Sequence, residues 1–421
     1  MNNKNAYLFP FILVTSLFFL WAFLHNLNPI LIPHLKKACQ LSDAQSALID
    51  SAVYLGYFIM ALPAGWMMHK YGYKKGILVG LLLYALGALM FYPAAGSRSY
   101  TMFLIALFVS ASGATFLETV ANPYITKLGD PKTSEQRLNF AQSFNGVGAF
   151  LAPIIGGSVI LSGIEKTQTE LQSMSADQLN QYLDFEAGTV KLPYLIMAAI
   201  VLLVAVFFIF SKLPEIKEHD SDDSGHSFSF KVFRHRHVLW AVIAQFSYVG
   251  AQVCIGSFFI RLSKSLANIP EKEAAFLLGS VAMVGFMVGR FFGTYLMKFL
   301  ESSRLLAIYC LISIGLLAIT VTTTGMIAIY SVAAVPFFMS IMFPTIFALG
   351  IKGLGEESKI ASSFLVMSIF GGAVLPLLMG IVSDQTGSMQ KAYIIPMLCF
   401  VLIWFFAKYR YKPQPVNLVQ I

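Results

Sequence analysis

Charge is what this sequence has least of. Only 50 of its 421 residues are Asp, Glu, Lys or Arg, roughly half the share a soluble domain carries. Residues 5–35, 51–69, 76–97, 99–117, 138–164, 192–211, 238–260, 305–351 and 360–383 contain none at all. Uncharged apolar runs of this length are membrane-spanning helices, which excludes a soluble enzyme and a disordered chain. Cysteine is scarce too. Cys39, Cys254, Cys310 and Cys399 stand far apart, with no metal or redox spacing, so a disulfide scaffold is excluded and the bland reading is small buried hydrophobes. The runs do not alternate apolar and polar residues, which excludes a β-barrel. The first apolar stretch, from Tyr7, lacks a basic leader and a small-residue cleavage site, so it is read as a retained helix.

What is abundant is apolar surface, 57% of the chain, enough for twelve spans of about 20 residues. The expected spans are 8–33, 45–68, 75–95, 100–128, 137–162, 192–213, 238–264, 272–299, 304–322, 326–352, 359–383 and 391–410, with the long run 305–351 divided at Thr322-Thr323-Thr324-Gly325. With the N-terminus inside, nineteen Lys and Arg fall in inner segments and eight in outer ones, while Arg261 and Arg290 lie within spans. This is the positive-inside bias. Both termini are then cytoplasmic in a multi-pass protein of the inner (plasma) membrane. The net charge of +8 belongs to those loops and implies no nucleic acid.

Residues 214–237 read as a cytoplasmic linker between a 1–213 bundle and a 238–421 bundle. Its His219 and His226, with His235 and His237, lack tight ligand spacing, so a solvated linker is favoured over a metal site. The outer segment 163–191 carries a helix-start signal at Ser173-Met-Ser-Ala-Asp-Gln and is expected to form a surface helix or a lid.

The two halves resemble each other. Pro123, Ile125, Leu128 and Gly129 recur as Pro344, Ile346, Leu349 and Gly350 at an offset of 221, and Gly148, Pro153 and Gly157 recur as Gly371, Pro376 and Gly380 at 223. A parallel duplication of six helices gives an all-α membrane protein, two pseudo-symmetric six-helix bundles of major-facilitator type. Such an architecture transports by alternating access, with substrate held near the midplane.

Charges within spans mark function. Glu118 stands alone near the middle of the fourth span, and its repeat counterpart is Met339, so the fold itself does not require a carboxylate there. Burial disfavours a charged carboxylate, which suits Glu118 to take up and release a proton as access alternates; the structural alternative is an ion pair with Arg290. Around it lie neutral amides: Asn122 one turn on, Asn26 and Asn28 in the first span, Gln142 and Asn145 in the fifth, and Gln245, Tyr248 and Gln252 along one face of the seventh. Amides donate and accept, as sugar hydroxyls require, and an aromatic face stacks on a pyranose. The alternative for each amide is interhelical glue. Arg290 is read as an inter-helix latch and His25 as a core histidine.

Gly65-Trp-Met-Met-His69-Lys70-Tyr-Gly72-Tyr-Lys74-Lys75 resembles the major-facilitator signature, with His69 replacing its acidic member; His69 and Lys70 are the expected gating pair. The stretches Ser16–Trp21, Leu117–Pro123, Arg137–Asn145, Phe246–Gln252 and Phe343–Lys352 resemble the fucose–galactose–glucose:proton symporter family over nearly the whole chain. The resemblance implies proton-driven uptake of a neutral monosaccharide, with coupling carboxylates on the first and fourth helices. Glu118 carries over. The first-helix Asp does not, because Pro29 occupies its position. Three alternatives follow: Glu118 alone couples protons, another ion such as sodium couples, or transport is uncoupled. A non-transporting sugar sensor is disfavoured by the lack of an output domain. The implied partners are a sugar, a coupling cation and the lipid bilayer; a monomer is expected, with an ion gradient and no cofactor as the energy source.

Overall fold

The computed structural model describes residues 8–41, 43–160, 166, 168–211, 213–214 and 230–413, and every regular element among them is helical. The first half contains α1 (Leu8–His25), α2 (Asn28–Ala38), α3 (Asp43–Tyr71), α4 (Tyr73–Gly96), α5 (Tyr100–Lys127) and α6 (Ser134–Ile160). Two short helices, α7 (Gln168–Ser173) and α8 (Ala176–Gly188), precede α9 (Lys191–Phe210). The second half begins with α10 (Arg236–Ala267), α11 (Glu271–Leu277), α12 (Val284–Leu296), α13 (Ser302–Thr322) and α14 (Gly325–Met339). It continues with α15 (Met342–Gly350), α16 (Ser358–Met367), α17 (Gly371–Thr386), α18 (Met389–Ala392) and α19 (Ile394–Phe405). In hydrocarbon every backbone polar group must find an internal partner, and helices satisfy that requirement locally.

Among the described residues, nine continuous helical stretches are long and apolar enough to span a bilayer. The expected spans 8–33 and 272–299 are each divided. The first opens at Asn26-Leu27, with Pro29 in the first turn of α2, where a proline forfeits no helical hydrogen bond. The second passes through a π turn at Leu278–Met283. The expected single helix 326–352 is also two, broken at Ser340-Ile341. Helix α3 carries the span expected at 45–68. Gly72, at φ +84°, turns the chain from α3 into α4 in a conformation only glycine adopts freely.

Within the first half α4 packs on α5 and α9, α3 on α5, and α1 on α6; within the second α10 packs on α17 and α19, and α13 on α14. The repeat has a physical basis in two glycines. A Cβ on Gly148 of α6 would meet the Phe19 carbonyl of α1 at 2.7 Å, and a Cβ on Gly371 of α17 would meet the Phe246 carbonyl of α10. Duplicated glycines thus let duplicated helices touch backbone to backbone. The outward faces are greasy, as at Leu82, Phe207, Phe210 and Leu377, and suit lipid.

The outer segment forms α8, opened by a reciprocal capping box between Ser175 and Gln178. It lies on α2 and α4. Its buried Glu186 takes Lys37 Nζ at 2.8 Å and lies 3.8 Å from His34 Nδ1, which fastens this helix to the first half. His219 and His226 lie outside the described residues; His235 pairs with Glu357 at 2.6 Å, and no metal-ligand cluster occurs among the described residues.

Candidate functional site

Two prolines build the site. A proline has no N–H to give the carbonyl four residues earlier, so Pro123 in α5 orphans the Thr119 carbonyl and Pro344 in α15 orphans that of Ser340. Both carbonyls find side-chain donors from other helices. Ser362 Oγ of α16 donates to Thr119 O at 2.6 Å, and Arg290 Nε of α12 donates to Ser340 O at 3.0 Å. The repeat-related prolines therefore create repeat-related acceptors, one used to join the halves and one to anchor an arginine.

Arg290 is 5% exposed and reaches from that anchor into the first half. Its Nη1 donates to the Gln142 carbonyl, and contacts Gln142 Oε1 at 3.4 Å and Asn145 Oδ1 at 3.2 Å. Its guanidinium lies over Phe286, 4.6 Å from the ring centroid, and its charge acts on Glu118. Glu118 is 6% exposed. The Tyr57 hydroxyl of α3 lies close enough to its carboxyl group to interact with it. Gln142 Nε2 donates to Asn122 Oδ1 at 3.2 Å, which ties α6 to α5. A hydrogen-bonded network thus runs from Arg290 to Asn145 and through Gln142 to Asn122, with both halves of the chain contributing, and Glu118 lies beside it within electrostatic range of Arg290.

Several buried polar atoms beside it have no partner among the described residues: Asn122 Nδ2, Thr119 Oγ1, both amide atoms of Gln245, and the Tyr248 hydroxyl. The last sits beside Arg290 but short of hydrogen-bond geometry. Buried polar groups are otherwise nearly always satisfied, which sets these atoms apart as able to take a further partner. Phe343, whose ring lies 6.2 Å from that of Tyr248, supplies an apolar surface.

The remaining sequence candidates divide. Asn26 spends its Nδ2 on Ala22 O at 2.7 Å, closing the last turn of α1 where the helix breaks. Gln252 is half-buried, one turn beyond Tyr248, and no hydrogen bond ties it to the network among the described residues. The side chains of Asn28 and Pro29 lie outside the described ones. Tyr57 escaped sequence reasoning. It is one of 18 tyrosines, and nothing local distinguishes it.

Comparison with known proteins decides the family. The sequence profile of the Major Facilitator Superfamily matches residues 11–369. The chain belongs to the Major Facilitator Superfamily. It is 45% identical to the L-fucose-proton symporter of Escherichia coli (strain K12) over 97% of this chain and 94% of that protein. It is 39% identical to the glucose/galactose transporter of Brucella abortus (strain 2308), over 96% of this chain and 95% of that one. Among solved structures, a crystal structure of the E. coli fucose:proton symporter superposes with a TM-score of 0.89 at 43% identity, covering 96% of this chain and 99% of the other. The protein is therefore a multi-pass membrane carrier, not an enzyme.

As a major-facilitator protein it closes at one end. Lys352 Nζ reaches Glu135 Oε1 at 2.6 Å, Asn139 Nδ2 reaches Thr345 Oγ1 at 3.1 Å, and Lys127 Nζ reaches Gly355 O at 3.3 Å. His69 Nδ1 lies 3.7 Å from Glu356 Oε2, which also takes Lys359 Nζ at 2.6 Å. The histidine that replaces the acidic signature residue thus faces an acid in the opposite half. Lys70, expected to share this gating role, instead lies over Trp66 and Tyr71 at 5.1 and 5.3 Å, both in its own helix.

Proposed function

We propose that this carrier imports a neutral monosaccharide, a hexose such as fucose, galactose or glucose, together with protons across the inner membrane by alternating access. The observation that carries this reading is Glu118, a nearly fully buried carboxylate set between Tyr57 and Arg290 and adjoining a chain of neutral amides. A sugar has no charge to complement, and the unpartnered atoms of Asn122, Gln245 and Tyr248 match its alternating donors and acceptors. The names of the relatives speak for sugar as cargo and, in the symporters, for the proton as coupling ion.

Coupling follows from the charge on Glu118. While ionised, it attracts Arg290, which already grips the Gln142 carbonyl of one half and the Ser340 carbonyl of the other. Protonation removes that attraction and loosens the bridge across the cavity, so the proton load and the freedom of the halves to rock are linked. Gln142, Asn145, Asn122 and Tyr248 then contact sugar, Gln245 and Gln252 extend the contact surface, and Asn26 and Asn28 line the break in the first span. The linker 214–237 joins halves 1–213 and 238–421, both termini lie in the cytoplasm, the protein acts as a monomer, and the gradient alone supplies energy.

The test is uptake of a hexose panel into vesicles under an imposed proton or sodium gradient. Glu118→Gln is expected to abolish accumulation while counterflow exchange persists, since a permanently neutral side chain permits rocking without proton transfer. Normal accumulation by this variant, or accumulation driven by sodium alone, overturns the reading.

A further inference from the structure

The break in the first span carries no carboxylate, with Pro29 in the first turn of α2, yet a titratable side chain stands four residues before that proline. His25 is the last residue of α1 and that helix's sole ionisable residue. It is followed by the break at Asn26-Leu27, and its side chain is half-buried. Its ring meets that of Tyr57 edge-on, with centroids 6.1 Å apart, and Tyr57 is the residue whose hydroxyl faces Glu118. His25 and Tyr57 both line a cavity of about 30 Å³, together with Trp21, Tyr84 and Ser110 and an apolar wall that includes Val53, Phe91 and Leu107. That is room for one or two waters. The buried Ser110 hydroxyl on this wall has no partner among the described residues, and with the His25 ring and the Tyr57 hydroxyl it offers a water polar partners in an otherwise largely apolar cavity. Ser110 precedes Glu118 by eight residues on α5, about 12 Å of helix rise, toward the end expected to face outside.

We propose that His25 is the entry group for the coupling proton, relaying it through the hydrated cavity and the Tyr57 hydroxyl to Glu118. The inference rests on proton coupling at Glu118. The imidazole takes a proton from the outer side. The imidazolium releases it to cavity water as that water passes one on, Tyr57 accepts a proton while surrendering its own to the Glu118 carboxylate, and neutral imidazole is restored. An imidazole can take a proton at one ring nitrogen and release one from the other, which fits it to pass protons on. The groups facing it are Tyr57 of α3, Tyr84 of α4 and Tyr194 of α9 around the cavity, with Glu118 of α5 behind Tyr57. The stretch of α6 packed along this part of α1, from Gly148 beside Phe23 to Gly156 beside Leu27, contains no ionisable residue. No cation among these described residues opposes protonation of the ring, apart from Arg290 on the far side of Glu118.

The experiment compares wild type, Glu118→Gln, His25→Asn and Tyr57→Phe in vesicles, reading proton-driven accumulation, sugar-induced alkalinisation of the medium, and counterflow exchange. His25→Asn and Tyr57→Phe are expected to lose accumulation and alkalinisation while exchange continues, as in Glu118→Gln. Adding Pro29→Asp to His25→Asn is expected to restore both, by supplying a protonatable group four residues further along the chain. The inference is overturned if His25→Asn and Tyr57→Phe accumulate sugar as wild type does while Glu118→Gln does not, or if His25→Asn loses exchange along with accumulation and Tyr57→Phe remains fully coupled. If wild type itself produces no alkalinisation, proton coupling fails, and the relay with it.

Discussion

Gln142 has both ends of its amide committed and its main-chain carbonyl as well. It donates to Asn122 and accepts from Arg290 through two oxygens. A sugar hydroxyl entering here inserts into an existing network, so the amide acts by orienting Asn122 and Arg290 as much as by touching ligand. Gln142→Ala leaves the main-chain anchor of Arg290 in place and removes the side-chain link. The expected result is sugar binding weakened about tenfold, the effect of roughly 1.4 kcal/mol, with little change in thermal stability, measured by calorimetric titration and a melting curve on the same sample. Residues of this kind are legible in sequence because an amide or carboxylate stands out against hydrocarbon. Glu118, Asn122, Gln142 and Asn145 stand out that way, and the structure joins the three amides through Arg290 with Glu118 beside them. Gln245 and Gln252 share a helical face with Tyr248, but which atoms of that face meet a ligand is set by the neighbouring helices. Tyr57 was invisible for the opposite reason, since an aromatic residue is at home anywhere in a span.

At the scale of elements, the spans announce themselves through length and hydropathy, while their interruptions do not. The break at Ser340-Ile341 leaves a carbonyl that takes its donor from Arg290, remote in sequence, and the π turn before α12 shifts the bonding register within the helix; neither has a local signal. The prolines offered half the signal: Pro123 and Pro344 show where a carbonyl loses its donor, though not that Ser362 and Arg290 would supply one. Ser362→Ala leaves the buried Thr119 carbonyl without that donor and should lower stability by about 1–3 kcal/mol. In Ser362→Thr the hydroxyl is kept and most of the loss should be recovered, as read from melting in detergent. The glycines were legible as a repeat, and their purpose became plain from packing. With the Phe19 carbonyl 2.7 Å from where a Cβ would lie, Gly148→Leu must push α1 from α6. A loss of about 1–3 kcal/mol is expected from overpacking alone; unchanged melting would refute the backbone contact.

At the scale of the molecule, the links between halves are unevenly distributed. The Lys352–Glu135, Asn139–Thr345, Lys127–Gly355, His69–Glu356 and Ser362–Thr119 contacts gather where α3, α5 and α6 meet α15, α16 and the loop between them. In the proposed orientation this is the cytoplasmic end, and the state described is then closed inside. Its persistence depends on how much these ties favour it over the inward-open state, because a contact shifts a two-state equilibrium only by the free energy it has in one state and lacks in the other. Glu135 is 4% exposed, and an acid so buried is costly to leave unpaired, so Lys352→Ala should cost the closed state more than a surface pair would, about 2–3 kcal/mol. Glu135→Gln removes the charge along with the pair and should cost less. Spin labels at the cytoplasmic ends of α5 and α16 would report the outcome as a distance distribution: Lys352→Ala should populate a longer distance strongly, Glu135→Gln weakly, and the double variant no more than Glu135→Gln alone. A double variant that opens as far as Lys352→Ala would mean that the ion pair, rather than the stranded carboxylate, holds the end shut.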